Sequence, residues 1–355
     1  MTSRRDFVKK TTIGSGALLV APSIPFYINS PQYQLENEII GHGDFKYRVE
    51  QNWGNLDPKK HPVKNCHEMV MDSRGRLLML TDHPKNNILI YDTSGKLLQN
   101  WTLNLPGGHG LTIHDEGGEE VLYITDPSLG KVIKSTLDGS IIMELEHPVK
   151  VGTYDENMPY RPTETAIAPN GDIYVADGYG SQFILQYDRK GNFIKKFGGD
   201  SFLQEDKFKQ VHGVAIDNRD PNNPTLLCSA RIKNSFKRFT LNGEYVESVY
   251  LPGAFISRPV IDGDHLYSGV CFGMEKDNYN PLQNKGFVTI LNKENRVVSN
   301  PGGTKPRYKN GRLKLILQER PIFKHCHDIC VDNDKNLYVC QWNAGGVTPY
   351  KLHRV

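Results

Sequence analysis

The sequence predicts an all-β protein, a six-bladed β-propeller, on three observations. A unit of apolar strand, polar turn and second apolar strand recurs six times, at spacings of about 40 to 70 residues, which suits four-stranded blades. Turn pairs such as Asp138-Gly139, Asn170-Gly171 and Asn242-Gly243, and the triplet Lys190-Gly191-Asn192, fall between the runs, where tight hairpins need residues that accept positive φ. Glycine (33) and proline (21) punctuate all 355 residues, and no apolar run reaches the ~18 residues of a membrane-spanning helix. At 38% hydrophobic and 23% charged, the composition is that of a globular chain. The 43 basic and 40 acidic residues leave a net charge of +3, too balanced for a dedicated nucleic-acid binder.

Residues 1–30 read as an export leader. Ser3-Arg4-Arg5-Asp6-Phe7-Val8-Lys9-Lys10 matches a twin-arginine signal, and the short apolar stretch from Ile13 to Ala21 is too short to span a bilayer stably. The expected partner is the twin-arginine translocation machinery, with no stable membrane anchor, and the expected location is periplasmic or secreted. That route exports folded proteins, often those with a metal inserted before export.

Residues 40–355 are expected to form the propeller. The first unit begins at Cys66-His67-Glu68-Met69-Val70-Met71 and continues through Leu77 to Asp82 and Ile88 to Asp92. The second begins at His109-Gly110-Leu111, the third at Thr163-Glu164-Thr165 and the fourth at His212-Gly213-Val214. The fifth is degenerate around Ser257-Arg258-Pro259-Val260-Ile261, and the sixth begins at His327-Asp328-Ile329. The last unit runs out of sequence after Tyr350-Lys351-Leu352, so the early strand Phe45 to Val49 is expected to complete it and close the ring. Insertions at Glu146–Tyr160, Gly273–Lys285 and Pro301–Ile322 are expected on the rims.

The first strand of each blade lines a propeller's central channel. The same strand-start position holds His67, His109, Thr163, His212 and His327, so four histidines converge on one ring. Imidazoles on converging strands suit Zn or another transition metal; the competing reading is a hydrogen-bonded polar plug. The next position holds Glu68, Gly110, Glu164, Gly213 and Asp328, where carboxylates and exposed carbonyls suit Ca²⁺ or act as acceptors behind the histidines. Cys66 and Cys326 hold equivalent positions across the closure and suit a disulfide or soft metal ligands. Cys330 and Cys340 suit a cross-strand disulfide or a buried thiol pair.

Ala176-Asp177-Gly178-Tyr179-Gly180-Ser181, the following Gly191-Asn192-Phe193-Ile194-Lys195-Lys196-Phe197-Gly198, and the ordered strand starts His-Gly-Leu, His-Gly-Val and His-Asp-Ile resemble peptidylglycine α-amidating lyase, an NHL-type propeller family. The similarity covers roughly residues 60 to 350. The resemblance implies a six-bladed propeller with zinc near the axis and a structural calcium in the channel, cleaving a peptidyl-α-hydroxyglycine to a peptide amide and glyoxylate. It implies zinc on His109, His212 and His327. Calcium is implied on Asp328 and the carbonyls of Leu111 and Met69. Tyr179 is implied as base on the substrate hydroxyl, and Arg231 as an active-site arginine.

The chain departs from the family in three places. Asp82-His83-Pro84 stands where the family has an arginine, His67 and Glu68 replace small residues, and Gly180 replaces a disulfide cysteine. Arg161 and Arg258 are candidates to supply the missing charge to a substrate, and His67 is a candidate fourth ligand.

The residue types permit one chemistry directly. A His₃ metal leaves a position open to a hydroxyl or a carbonyl, and a tyrosine beside a cation can take a proton. Arginine suits a substrate carboxylate through paired hydrogen bonds. The expected function is therefore an exported metal-dependent carbon–nitrogen lyase acting on a small-molecule or peptide substrate with an α-hydroxyl. The alternatives are a propeller lactonase or other hydrolase, and a non-catalytic ligand-binding scaffold.

Overall fold

The computed structural model describes residues 38–346 and 348–355. The twin-arginine signal lies outside the described residues. Six antiparallel sheets stand around one channel as six propeller blades, and one 3₁₀ turn, Arg231–Lys233, is the only helical element among the described residues. No described helix is long and apolar enough to cross a membrane.

Blade one is built from Cys66–Met71, Leu77–Thr81, Ile88–Tyr91 and Leu97–Trp101, each strand paired to the next. Blades two, three and four repeat that meander from Leu111–Asp115, Glu164–Ile167 and Val211–Asp217. The middle strands are buried along their whole length, as Leu77–Thr81 and Ile88–Tyr91 are, because neighbouring blades cover both faces. Outermost strands such as Ile141–Glu144 are mostly exposed. The hairpins turn where the sequence places glycine: Gly171 sits at φ 87° and Gly139 at φ 92°, a region costly for residues with a Cβ.

Blade five keeps the pattern with short first strands, Phe255–Ile256 and Val260–Asp262, against the long strand His265–Glu275. Blade six comprises Cys326–Val331, Leu337–Gln341, Tyr350–Arg354 and the early strand Phe45–Glu50, in the register Tyr47↔Arg354 and Val49↔Leu352. The chain thus closes its own ring, and Ile39–His42 adds a further outer strand.

The core is divided among the blade interfaces. One apolar cluster joins blades one and two through Leu80, Ile90, Leu111 and Ile124. Another joins blades six and one through Tyr338, Cys340, Met79, Tyr91 and Trp53. The Trp53 indole donates to the Thr93 carbonyl at 3.1 Å and packs edge-on to Tyr338, sealing the closure.

Among the described residues, which include every cysteine, no disulfide forms. Cys66 and Cys326 belong to different core clusters. Cys330 pairs with Tyr338 and Cys340 with Asp328, so the two thiols do not face each other. The pairing follows from the turn: Val331 pairs with Leu337, so the hairpin centres on Asp334, one residue earlier than a Cys330–Cys340 pair requires.

Candidate active site

At or just before the start of each blade's innermost strand, two successive residues share one repeat position around the channel. The first position carries His67, His109, Thr163, His212, Ser257 and His327, all at most 5% exposed. The second carries Glu68, Gly110, Glu164, Gly213, Arg258 and Asp328. Successive residues of a regular strand point to opposite faces, so two stacked rings need a local break. The register slips by one between Cys66 and Glu68, between Val211 and Val214, and between Cys326 and Asp328. These β-bulges turn His67, His212 and His327 toward the axis without burying the residues that follow them away from it.

The four imidazoles meet there. Ring centroids are 4.9 Å apart for His67 and His109, 4.7 Å for His109 and His212, 4.8 Å for His212 and His327, and 4.7 Å for His109 and His327. His67, His109 and His327 bring ligand atoms within 4.8 Å of one another. Nδ1 of His109 lies 2.9 Å from the Thr163 carbonyl, and Nδ1 of His327 lies 2.9 Å from the His67 carbonyl. A carbonyl only accepts, so both rings carry hydrogen on Nδ1 and direct the lone pair of Nε2 inward. His327 Nε2, His67 Nδ1 and His212 Nδ1 are buried without a hydrogen-bond partner. Burial holds His109, His212 and His327 well below the usual imidazole pKa, helped by their mutual repulsion and by Arg231. Two carbonyl-oriented imidazoles, with partnerless buried nitrogens on His67, His212 and His327, fit a transition metal.

Tyr179 completes the ring. Thr163 and Ser257 are the two places in the first ring without a histidine, and each is matched by another group. The Tyr179 hydroxyl reaches across blade three, 3.0 Å from Nε2 of His109 and 3.0 Å from Nε2 of His212. Arg231, 2% exposed, donates from Nε to the Ile256 carbonyl and from Nη2 to the Ser257 hydroxyl, both at 3.0 Å. Burial raises the Tyr179 phenol, while Arg231 and Arg161 pull it back down. Arg161 is exposed, its guanidinium 5.9 Å from the centroid of the Tyr179 ring. An open depression lined by Arg161, Gly178, Tyr179, Gln182, Lys209 and Gln210 leads to the tyrosine.

Two aspartates absent from the sequence-based set support these groups. Asp177 accepts from the amides of Arg161 (2.7 Å) and Ser181 (2.6 Å) and from the Tyr154 hydroxyl (2.9 Å), clamping the turn that carries Tyr179. Its place in Asp177-Gly178-Tyr179 was a usable signal. A Cβ on Gly180 would lie 2.1 Å from Asp177 Oδ1, so this turn excludes the cysteine that the resemblance puts there. Asp82 lies 3.5 Å from His67 Nε2, and no sequence spacing links the two.

Arg258 is not where a substrate-binding arginine would be. Its guanidinium is buried in the second ring, on the Asp328 carboxylate at 2.7 and 2.8 Å and on the carbonyls of Leu111 (2.8 Å) and Met69 (3.1 Å). Glu68 and Glu164 stand 3.3 and 3.8 Å away. The oxygens assigned to calcium therefore surround an arginine, and they do not fit a calcium ion with that side chain in place.

No protein-family model matches the chain. Peptidyl-α-hydroxyglycine α-amidating lyase 1 of Drosophila melanogaster is 25% identical over 286 residues, 74% of this chain and 47% of that protein. Peptidylglycine α-amidating monooxygenase of Rattus norvegicus is 32% identical over 288 residues, 75% of this chain and 25% of that protein. The chain thus spans half or less of the length of these curated relatives. The solved streptogramin B lyase superposes with a TM-score of 0.53 over 86% of this chain and 97% of that one, at 14% identity, a likeness of fold.

Proposed function

We propose that this relative of the peptidylglycine α-amidating lyases is an exported metal-dependent lyase that breaks the carbon–nitrogen bond of an N-substituted α-hydroxy compound. The observation that carries the reading is the Tyr179 hydroxyl set between His109 and His212 in a ring of four buried histidines. His67, His109 and His327, with His212 beside them, would hold a metal, which would supply positive charge that makes a neighbouring hydroxyl more acidic, the Tyr179 hydroxyl giving up its bond to His109 Nε2 when that nitrogen ligates.

Tyr179, as phenolate, takes the proton of the substrate hydroxyl. The oxygen's electron pair forms the carbonyl, the carbon–nitrogen bond breaks, and the nitrogen takes up a proton to leave as amide or amine. When the α-carbon bears a carboxylate, the second product is glyoxylate. Arg231 holds the phenolate form within reach, and Arg161 at the open side suits a substrate carboxylate by paired hydrogen bonds. The twin-arginine pattern of Ser3-Arg4-Arg5 supports periplasmic release of a folded, metal-loaded protein.

The test is elemental analysis of protein exported from a bacterial host, paired with glyoxylate release from an N-acyl-α-hydroxyglycine. About one equivalent of transition metal and metal-dependent release are expected. Metal-loaded protein that releases no aldehyde or oxoacid from any α-hydroxylated amide overturns the lyase reading.

A further inference from the structure

We infer that Arg258 is the resident structural cation of the channel, a guanidinium that occupies and closes a site built for a hard metal ion. The site has the donors such an ion takes: buried carboxylates of Glu68, Glu164 and Asp328, and main-chain carbonyls of Met69 and Leu111. All belong to the inner strands of four different blades, so whatever sits among them ties the ring together across its axis. Arg258 supplies that tie from a fifth blade. Its Nε and Nη2 grip Asp328, Nη1 reaches Leu111, and Nη2 also reaches Met69.

A separate observation shows that the ring makes room for this residue's backbone. A Cβ at Gly213, the neighbouring position in the ring, would lie 2.4 Å from the Arg258 Cα and 2.5 Å from its Cβ. The glycine is therefore required for the Arg258 backbone to approach the axis. Calcium would need the guanidinium gone from these oxygens. The inference stands apart from the lyase reading, since none of these groups touches the reacting hydroxyl.

The test uses full-length protein and two measurements. Wild-type protein is dialysed against a calcium-specific chelator and then against millimolar CaCl₂. It is expected to hold no stoichiometric calcium and to melt at the same temperature, within a degree or so, in both. About one equivalent of calcium in the wild type, or a melting temperature that falls on chelation and returns with CaCl₂, overturns the inference. The Arg258→Ala variant is expected to melt well below wild type in chelator and to regain about 5 °C or more in CaCl₂. A variant indifferent to CaCl₂, whether folded or unfolded, counts against the ion site. The wild-type calcium measurement holds whatever the variant does.

Discussion

The Tyr179 hydroxyl lies 3.0 Å from Nε2 of His109, whose Nδ1 is held by the Thr163 carbonyl at 2.9 Å. That pair of contacts fixes the direction of a proton. His109 has its hydrogen on Nδ1, so its Nε2 accepts from the tyrosine. The hydroxyl has one hydrogen to give, so His212 Nε2, also at 3.0 Å, must donate to the phenol oxygen. Its Nδ1 is then the lone pair without a partner. A phenol held between an acceptor and a donor has its hydrogen aimed at His109 and its oxygen fixed in place.

Tyr179→Phe should therefore separate chemistry from assembly. The turnover number is expected to fall by about 10² to 10⁴, the range for loss of a general base. Metal content and melting temperature should stay near wild type, because the Asp177 clamp on this turn does not involve the phenol oxygen. Unchanged turnover in a metal-replete Tyr179→Phe protein would mean that the tyrosine only braces the histidines.

The ligand set can be dissected one histidine at a time. The three histidines with converging ligand atoms are His67, His109 and His327, whereas the family pattern would give His109, His212 and His327. His109→Ala and His327→Ala are expected to abolish metal retention on dialysis. His67→Ala should weaken it by about 10- to 100-fold, the scale of lost support at a metal site. Competition with a chromophoric chelator reads this out. Full retention in His67→Ala with loss in His212→Ala would assign the ligands as the family pattern does.

The blades and the histidine register were legible because they are periodic. Each inner strand announces itself by the same apolar run, and His67, His109, His212 and His327 recur at one offset. The second ring was half legible. Glu68, Glu164 and Asp328 read as cation ligands, and they do surround a cation, but Ser257-Arg258 in the degenerate fifth repeat was not recognised as sharing the register. No pattern predicts that a long side chain will turn inward to fill a site its own ring creates. Pairings between strands were out of reach for a related reason. The bulges that aim His67 and His327 each add a residue, and the hairpin that sets Cys330 against Tyr338 turns one residue earlier than a Cys330–Cys340 pair needs; hydropathy reveals neither.

Gly213→Ala probes the crowding of the second ring. The added methyl would meet the Arg258 backbone at 2.4 Å, a contact that no flexible side chain can relieve. A loss of about 2 to 3 kcal/mol is expected from overpacking, read by chemical denaturation. A similar loss is expected for Gly178→Ala, whose methyl would lie 2.2 Å from the Val211 carbonyl oxygen and displace the Tyr179 turn. That variant should also lose turnover, while Gly213→Ala should lose mainly stability.

The acid limb of the stability profile should depend on Asp217, at the far end of a blade-four inner strand. Burial alone would raise its carboxyl, but Arg219 at 2.6 Å and Arg238 at 2.8 Å outweigh that and bring it to about 2. A carboxylate held below its unfolded value stabilises the fold above that value, and the contribution disappears as pH falls through the folded one. The contribution is therefore present above about pH 4 and is lost between about pH 4 and 2. Asp217→Asn should cost about 2 kcal/mol at neutral pH, less than a fully buried pair because Arg238 is partly solvated. The deficit relative to wild type should shrink steadily as pH falls toward 2, because protonation removes from the wild type the same charge that the substitution removes. A deficit that stays constant from pH 7 to pH 2 would show that the substitution acts through packing and not through the two arginines.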